Sequence, residues 1–131
     1  MGLDNGICIK RTPESEQIKE VLEFEKDWQK QYKFDFEIVY FRKCWNVRSD
    51  IFGIIGPPES PNDTRTPVKL EHIDPLISLF KSYNKKTWDA AYSIWDYENI
   101  KPHIKTEIKN LKKLKKIMKK HNVEVYFYDS Y

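Results

Sequence analysis

The chain has 131 residues, a formal net charge of +3, 40% apolar and 15% aromatic residues, and 33% charged ones. That length predicts one domain over 1–131 rather than a multidomain enzyme, the apolar fraction suffices for a buried core, and the charge density suits a soluble surface. Four glycines and seven prolines exclude collagen-like or low-complexity material, and the longest apolar run, Ile51 to Ile55, is too short to span a bilayer.

Leu3 to Lys10 alternates around Ile7 and Ile9 and predicts a first strand. Thr12-Pro13-Glu14 then reads as a helix start, with a hydroxyl at the cap, proline in the first turn and an acid near the positive end of the dipole. The helix is expected to reach Gln31, with Ile18, Val21, Leu22, Trp28 and Tyr32 on its apolar side. Phe34 to Tyr40 alternates aromatic or aliphatic residues with acids at 35 and 37, as a second strand would. From Phe41 a second helix is predicted, one face carrying Phe41, Cys44, Trp45, Phe52 and Ile55 with Arg48 among them.

Residues 56–67 are rich in Pro, Ser, Asn and Asp and predict the one clear loop, with no second domain beyond it. Val68 and Leu70 suggest a short strand, and Glu71 to Tyr83 a third helix with Pro75 in its first turns. Trp88 to Tyr97 is aromatic-rich and compatible with either strand or helix. Asn99 is the expected cap of a long last helix running to His121, Asn122 its stop, and Val123 to Tyr128 a final strand. The fold class expected from this order is α/β or α+β: a small sheet of three to four strands covered by helices.

No basic flank and apolar stretch follow Met1, so a cytoplasmic location is expected, the host cytosol if the chain is phage-encoded. Gly6 stands where an N-myristoylation signal needs Ser or Thr. Cys8 and Cys44 have no metal-type spacing and read as core thiols, and the scattered His72, His103 and His121 bring no cysteine pair for structural zinc. Neither a metal nor a cofactor is expected.

The last helix is polarised. Ile100, Ile104, Ile108, Leu111, Leu114 and Met118 form one stripe, while residues 100–121 hold nine lysines against the single acid Glu107, a net +8 that leaves −5 for the rest of the chain. Lys105, Lys109, Lys112, Lys113, Lys116 and Lys120 make a basic face. A solvated outer face explains such a stripe as simply as a one-sided field for acidic or phosphate-rich partners does. No aromatics interleave with the lysines, so neither a membrane anchor nor a stacking platform is indicated there.

The opening Met1-Gly2-Leu3-Asp4, the segment Tyr40-Phe41-Arg42-Lys43 with Val47 and Arg48 after it, the stretch Trp95-Asp96-Tyr97-Glu98, and the end Tyr126-Phe127-Tyr128-Asp129-Ser130-Tyr131 occur in one order. Together they resemble a family of small bacteriophage and bacterial proteins that begin Met-Gly-Leu-Asp, carry a Tyr-Trp-Arg-Lys stretch before a helix and end in two tyrosines followed by Ser-Ser-Trp. Here Phe41 replaces the usual Trp, Arg48 stands where the family often has His, and Asp129-Ser130-Tyr131 replaces the usual ending. A role requiring a titrating histidine at 48 is therefore not carried over. The resemblance implies a phage or prophage origin, with inhibition or sequestration of host machinery as the associated kind of role.

Arg42, Lys43 and Arg48 lie at and after a predicted strand-to-helix junction, where free N–H groups and the dipole favour an anion, and Trp45 follows one turn after Arg42. Two guanidiniums, an ammonium and an indole suit a phosphate with a base stacked beside it. Trp45 on an apolar face fits a core residue as well, and Arg48 either contacts a ligand or pairs with a buried acid such as Asp4, because an unpaired buried charge costs several kcal/mol. Asp4 itself reads as a turn former, a partner of Arg48 or a pocket residue. No phosphate loop, nucleophile elbow, zinc pattern or kinase-type set is present, so no catalytic residue is assigned.

Two expectations follow. One is a non-enzymatic binder of an anionic small molecule such as a nucleotide or nucleotide signal, a counter-defence or host-takeover factor, using Asp4, Tyr40, Arg42, Lys43, Trp45 and Arg48. The other is an inhibitor or accessory protein that presents its lysine helix to an acidic host protein or to nucleic acid; beside these two stands an enzymatic reading, nucleotide hydrolysis or transfer.

Overall fold

The computed structural model describes residues 4–60, 64–91 and 94–130. Four antiparallel strands, β1 (Asp4–Ile9), β2 (Phe36–Arg42), β3 (Arg65–Pro67) and β4 (Val125–Ser130), form one sheet in the order β2-β1-β4-β3. The first and last strands thus pair at its centre. Helices α1 (Lys19–Leu22), α2 (Asp27–Tyr32), α3 (Trp45–Ile55), α4 (Leu70–Ser82), α5 (Lys85–Ala90) and α6 (Tyr97–Lys120) complete an α+β fold.

Alternation along the strands sorts the sheet into two unlike faces. On one, the rungs Ile7 with Val39 and Phe127, and Ile9 with Phe36 and Val125, meet Val47 and Ile51 of α3, Leu76 and Phe80 of α4, Trp88 of α5, and Leu111 and Leu114 of α6 in one buried cluster. Edge-to-face pairs, Phe41 on Phe80 at 5.4 Å and Phe52 on Phe127 at 5.1 Å between centroids, tie α4 and α3 to the sheet.

Helix α6 also closes the free edge of β2, where unpaired backbone groups would otherwise invite another strand. Glu107 accepts from the Tyr40 N–H at 2.5 Å, the His103 ring Nε2 bonds the Tyr40 carbonyl at 2.5 Å, and Asn110 donates to the Ile38 carbonyl and to Glu107. Burial raises the Glu107 carboxyl above its ordinary range, against these polar neighbours, which lower it.

Several boundaries differ from the sequence expectation. The single helix to Gln31 is replaced by a 3-10 turn at Ser15–Gln17, α1 and α2. Thr12 does act as a cap, its hydroxyl accepting the Ser15 N–H, but Ser15 returns bonds to the carbonyls of Lys10 and Thr12 and closes a local turn. Extended Ile18 and the Lys26–Gln29 cap reset the helical phase, so Leu22, Trp28 and Tyr32 face outward while Gln29 is buried.

Strand β2 continues through Phe41 to Arg42, and Lys43 takes a left-handed φ of 57° before α3 begins at Trp45. The helix phase is then set by Val47 and Ile51, and Trp45 is 51% exposed rather than core. Gly56, at a φ of 88° that only glycine adopts easily, ends α3. The third strand is Arg65–Pro67 within the expected loop, not Val68 and Leu70; Leu70 opens α4. Pro67 is tolerated because β3 is an edge strand. Residues 61–63 of that loop lie outside the described ones. The ambiguous stretch contributes the end of α5, with residues 92 and 93 undescribed, and Asp96 rather than Asn99 caps α6 by accepting the Asn99 N–H. Helix α6 ends at Lys120, and β4 runs over Val125–Ser130 rather than Val123 to Tyr128.

Candidate functional site

The second face of the sheet carries the polar half of the alternation: Asp4, Gly6 and Cys8 from β1, Glu37 and Tyr40 from β2, Tyr126 and Tyr128 from β4, and Arg65 from β3. A bulge at Ile38 lets Glu37 and Tyr40 share this side although they are three apart, since Cys8 opposes Glu37 and Gly6 opposes Tyr40. Each tyrosine hydroxyl donates to a carboxylate: Tyr40 to Asp4 at 2.7 Å, Tyr128 to Glu37 at 2.8 Å, and Tyr126 to Asp35. The Tyr128 pair joins β4 to β2 across the central strand. That crossing depends on Gly6, where a Cβ would lie 3.0 Å from Tyr128 Cε1 and 2.3 Å from the Val39 carbonyl oxygen.

Burial and the adjoining acids hold these groups protonated. Burial first, then the Asp4 bond, pushes the Tyr40 phenol up to about 12; burial, with Glu37 at Tyr128 and Asp35 at Tyr126, raises those two phenols further. Burial, then Glu37 and Asp35, pushes the Cys8 thiol up to about 12. At neutral pH this face therefore presents neutral phenols and a thiol, and no thiolate nucleophile.

Between this face and the α2 segment lies a recess of about 500 Å³, with Tyr126, Tyr128 and Cys8 on its floor and Trp28 and Phe34 on its rim. Trp28 and Phe34 are each 51% exposed and meet edge to face at 5.6 Å, with Tyr32 beside them. Lys33, at a left-handed φ of 54°, ends α2 and turns Phe34 back toward Trp28. Arg65 lies 3.7 Å from Asp35 and 4.5 Å above the Tyr126 ring, and Lys26 approaches Glu37 at 3.9 Å. With Lys33 and Arg65 against Asp35 and Glu37, the lining is charge-balanced.

The six residues singled out in the sequence gather at one end of the sheet but on its two sides. Asp4 and Tyr40 are hydrogen-bonded on the open face, and Arg42 stands opposite Asp4 in the strand register. The Arg42 carbonyl accepts from the Trp95 indole at 2.8 Å, and Lys43 forms the turn into α3. Arg48 lies on the helical side, donating through Nε to Asp129 at 2.7 Å, with its guanidinium 4.9 Å from the Phe52 ring and 5.7 Å from Trp45. Its carboxylate is Asp129 rather than the expected Asp4, because Asp4 and Asp129 occupy opposite faces of the paired strands.

On α6, Lys105, Lys109, Lys112, Lys116 and Lys120 are exposed away from the core; Lys113 lies 5.8 Å from the Phe24 ring, and Lys115 binds Asp74 at 2.8 Å. Among the described residues no group of three or more His, Cys, Asp or Glu side chains is arranged to hold a metal ion, and no helix is long and apolar enough to cross a membrane. The sequence reading missed the recess: neither its floor, Cys8, Tyr126 and Tyr128, nor Trp28, Asp35, Glu37 and Arg65 stand among the candidate site residues. The acids at 35 and 37 within an aromatic alternation were the available signal; Trp28 was hidden by its assignment to a buried helix face. None of the protein-family models, curated proteins or solved structures compared with the chain matches it.

Proposed function

We propose that the protein is a stoichiometric binder of a nucleotide-class ligand, held on the open tyrosine face of the sheet. The observation that carries this reading is the recess of about 500 Å³ walled by half-exposed Trp28 and Phe34 and floored by tyrosines, with Arg65 and Lys33 among its lining. Its volume lies within the range of small-molecule sites, on the order of 300–1,000 Å³. A planar base stacks on the rim aromatics, each such contact contributing about 1–3 kcal/mol. The carboxylates of Asp35 and Glu37 keep acceptor capacity for ring N–H and amino groups of a base, and Arg65 and Lys33 supply the cations for a phosphate. Protonated Cys8 and tyrosines favour holding a ligand over covalent chemistry.

Resemblance to small phage proteins supports a sequestering, counter-defence kind of role for such a binder. Calorimetric titration with mono-, di- and cyclic nucleotides tests the reading: one ligand per chain is expected, with Trp28→Ala and Arg65→Ala each weakening binding by about tenfold, the loss of one stacking or charged contact of about 1.4 kcal/mol. No heat with any nucleotide, or unchanged affinity in both variants, contradicts it.

A further inference from the structure

Helix α6 carries a second surface independent of the recess. At 100° per residue, Lys101, Lys105, Lys109, Lys112, Lys116 and Lys119 fall within an arc of roughly 80°, and at 1.5 Å per residue they extend over about 27 Å. All six are exposed, and the opposite side of the helix, including Ile104, Leu111, Leu114 and Ile117, is buried against the fold. None of the six forms an ion pair within 4 Å among the described residues, whereas Lys115 just off the arc is held by Asp74. Within α6 the acids are Glu98 in the first turn and Glu107, which is buried. Glu20 and Glu23 share a groove with the Lys116 end of the row, and a row of like charges along a rod with so few acids beside it keeps a field that a matching polyanion relieves.

We propose that this lysine row docks on the phosphate backbone of a nucleic-acid duplex. A duplex presents phosphates every ~3.4 Å along each strand, so about 27 Å of helix faces several of them at once. The arc holds no aromatic side chain, which disfavours single strands bound by base stacking. The apolar side of α6 is already buried in the core, which disfavours insertion into a lipid surface. Contacts of this kind position a protein without reading sequence.

The test is fluorescence anisotropy with a labelled 20-base-pair DNA duplex and its RNA counterpart across a salt series. Expected is sequence-independent binding whose log affinity falls against log salt with a slope of about −4 to −5, as four to six phosphate contacts require. Lys112→Ala should reduce that slope by about 1, and the combined Lys105→Glu, Lys109→Glu, Lys112→Glu and Lys116→Glu variant should lose binding by at least about 100-fold at low salt. An unchanged urea midpoint shows that the combined variant is folded, and the single alanine variant gives an independent reading. Trp28→Ala should leave duplex binding unaltered, which separates this surface from the nucleotide recess. A slope shallower than about −2, charge reversal without effect, or stronger binding to polyglutamate or to phosphatidylserine vesicles than to duplex overturns the proposal.

Discussion

Gly6 shows how much one residue carries. A Cβ there meets the Val39 carbonyl at 2.3 Å and the Tyr128 ring at 3.0 Å, so Gly6→Ala is expected to cost about 2 kcal/mol as overpacking in the central strand, read from the urea midpoint. Tyr128→Phe removes the donor that bridges to Glu37 and should cost about 1 kcal/mol. The phenols also give a pH signature. Folding holds Tyr40, Tyr126 and Tyr128 protonated, whereas an unfolded chain ionises its tyrosines near 10, so their contribution is complete below pH 10 and is lost as pH rises beyond it. Urea midpoints measured from pH 8 to 11 should therefore fall above 10, and less steeply in Tyr128→Phe. An equal fall in the variant contradicts a shifted Tyr128.

At the scale of elements, the Arg48–Asp129 pair couples α3 to the last strand. Arg48→Ala leaves a mostly buried carboxylate without this partner and is expected to destabilise by about 3 kcal/mol, with Asp129→Asn in the same background recovering part of the loss. Recovery distinguishes a pairing role from lost packing alone. Glu107→Ala exposes the Tyr40 N–H on the β2 edge and should cost about 1–3 kcal/mol while raising aggregation from the unprotected strand. Strands β1, β2 and β4 and helix α6 were legible because their alternation and 3.6-residue stripe are long enough to dominate local effects, whereas the three-residue β3 carries too short a pattern and lies inside the Pro-rich segment. The segment from Thr12 to Tyr32 was not, because Ser15 and Gln29 make turn and cap bonds that reset the helical phase, turning Trp28 from a presumed core position into a rim. The recess was hidden for the same reason, since it joins that rim to residues of β1, β2, β3 and β4 brought together only by pairing. Arg48 was conspicuous as a cation on an apolar face, but which acid it meets depends on strand register.

Over the whole molecule, a modest net charge of +3 conceals two separate chemistries. One side of the sheet is packed beneath helices whose last member presents lysines to solvent; the other is a charge-balanced aromatic recess. This separation means that each surface is open to testing by variants that leave the other intact. The recess is the central element of the functional account, and the most direct measurement of it is an amide and side-chain NMR titration of the intact chain with a nucleotide panel. The account predicts saturable shifts centred on Cys8, Trp28, Phe34, Arg65, Tyr126 and Tyr128 for at least one nucleotide, abolished in Trp28→Ala. Shifts confined to the α6 lysines, or no shift at the recess with any nucleotide, would contradict it.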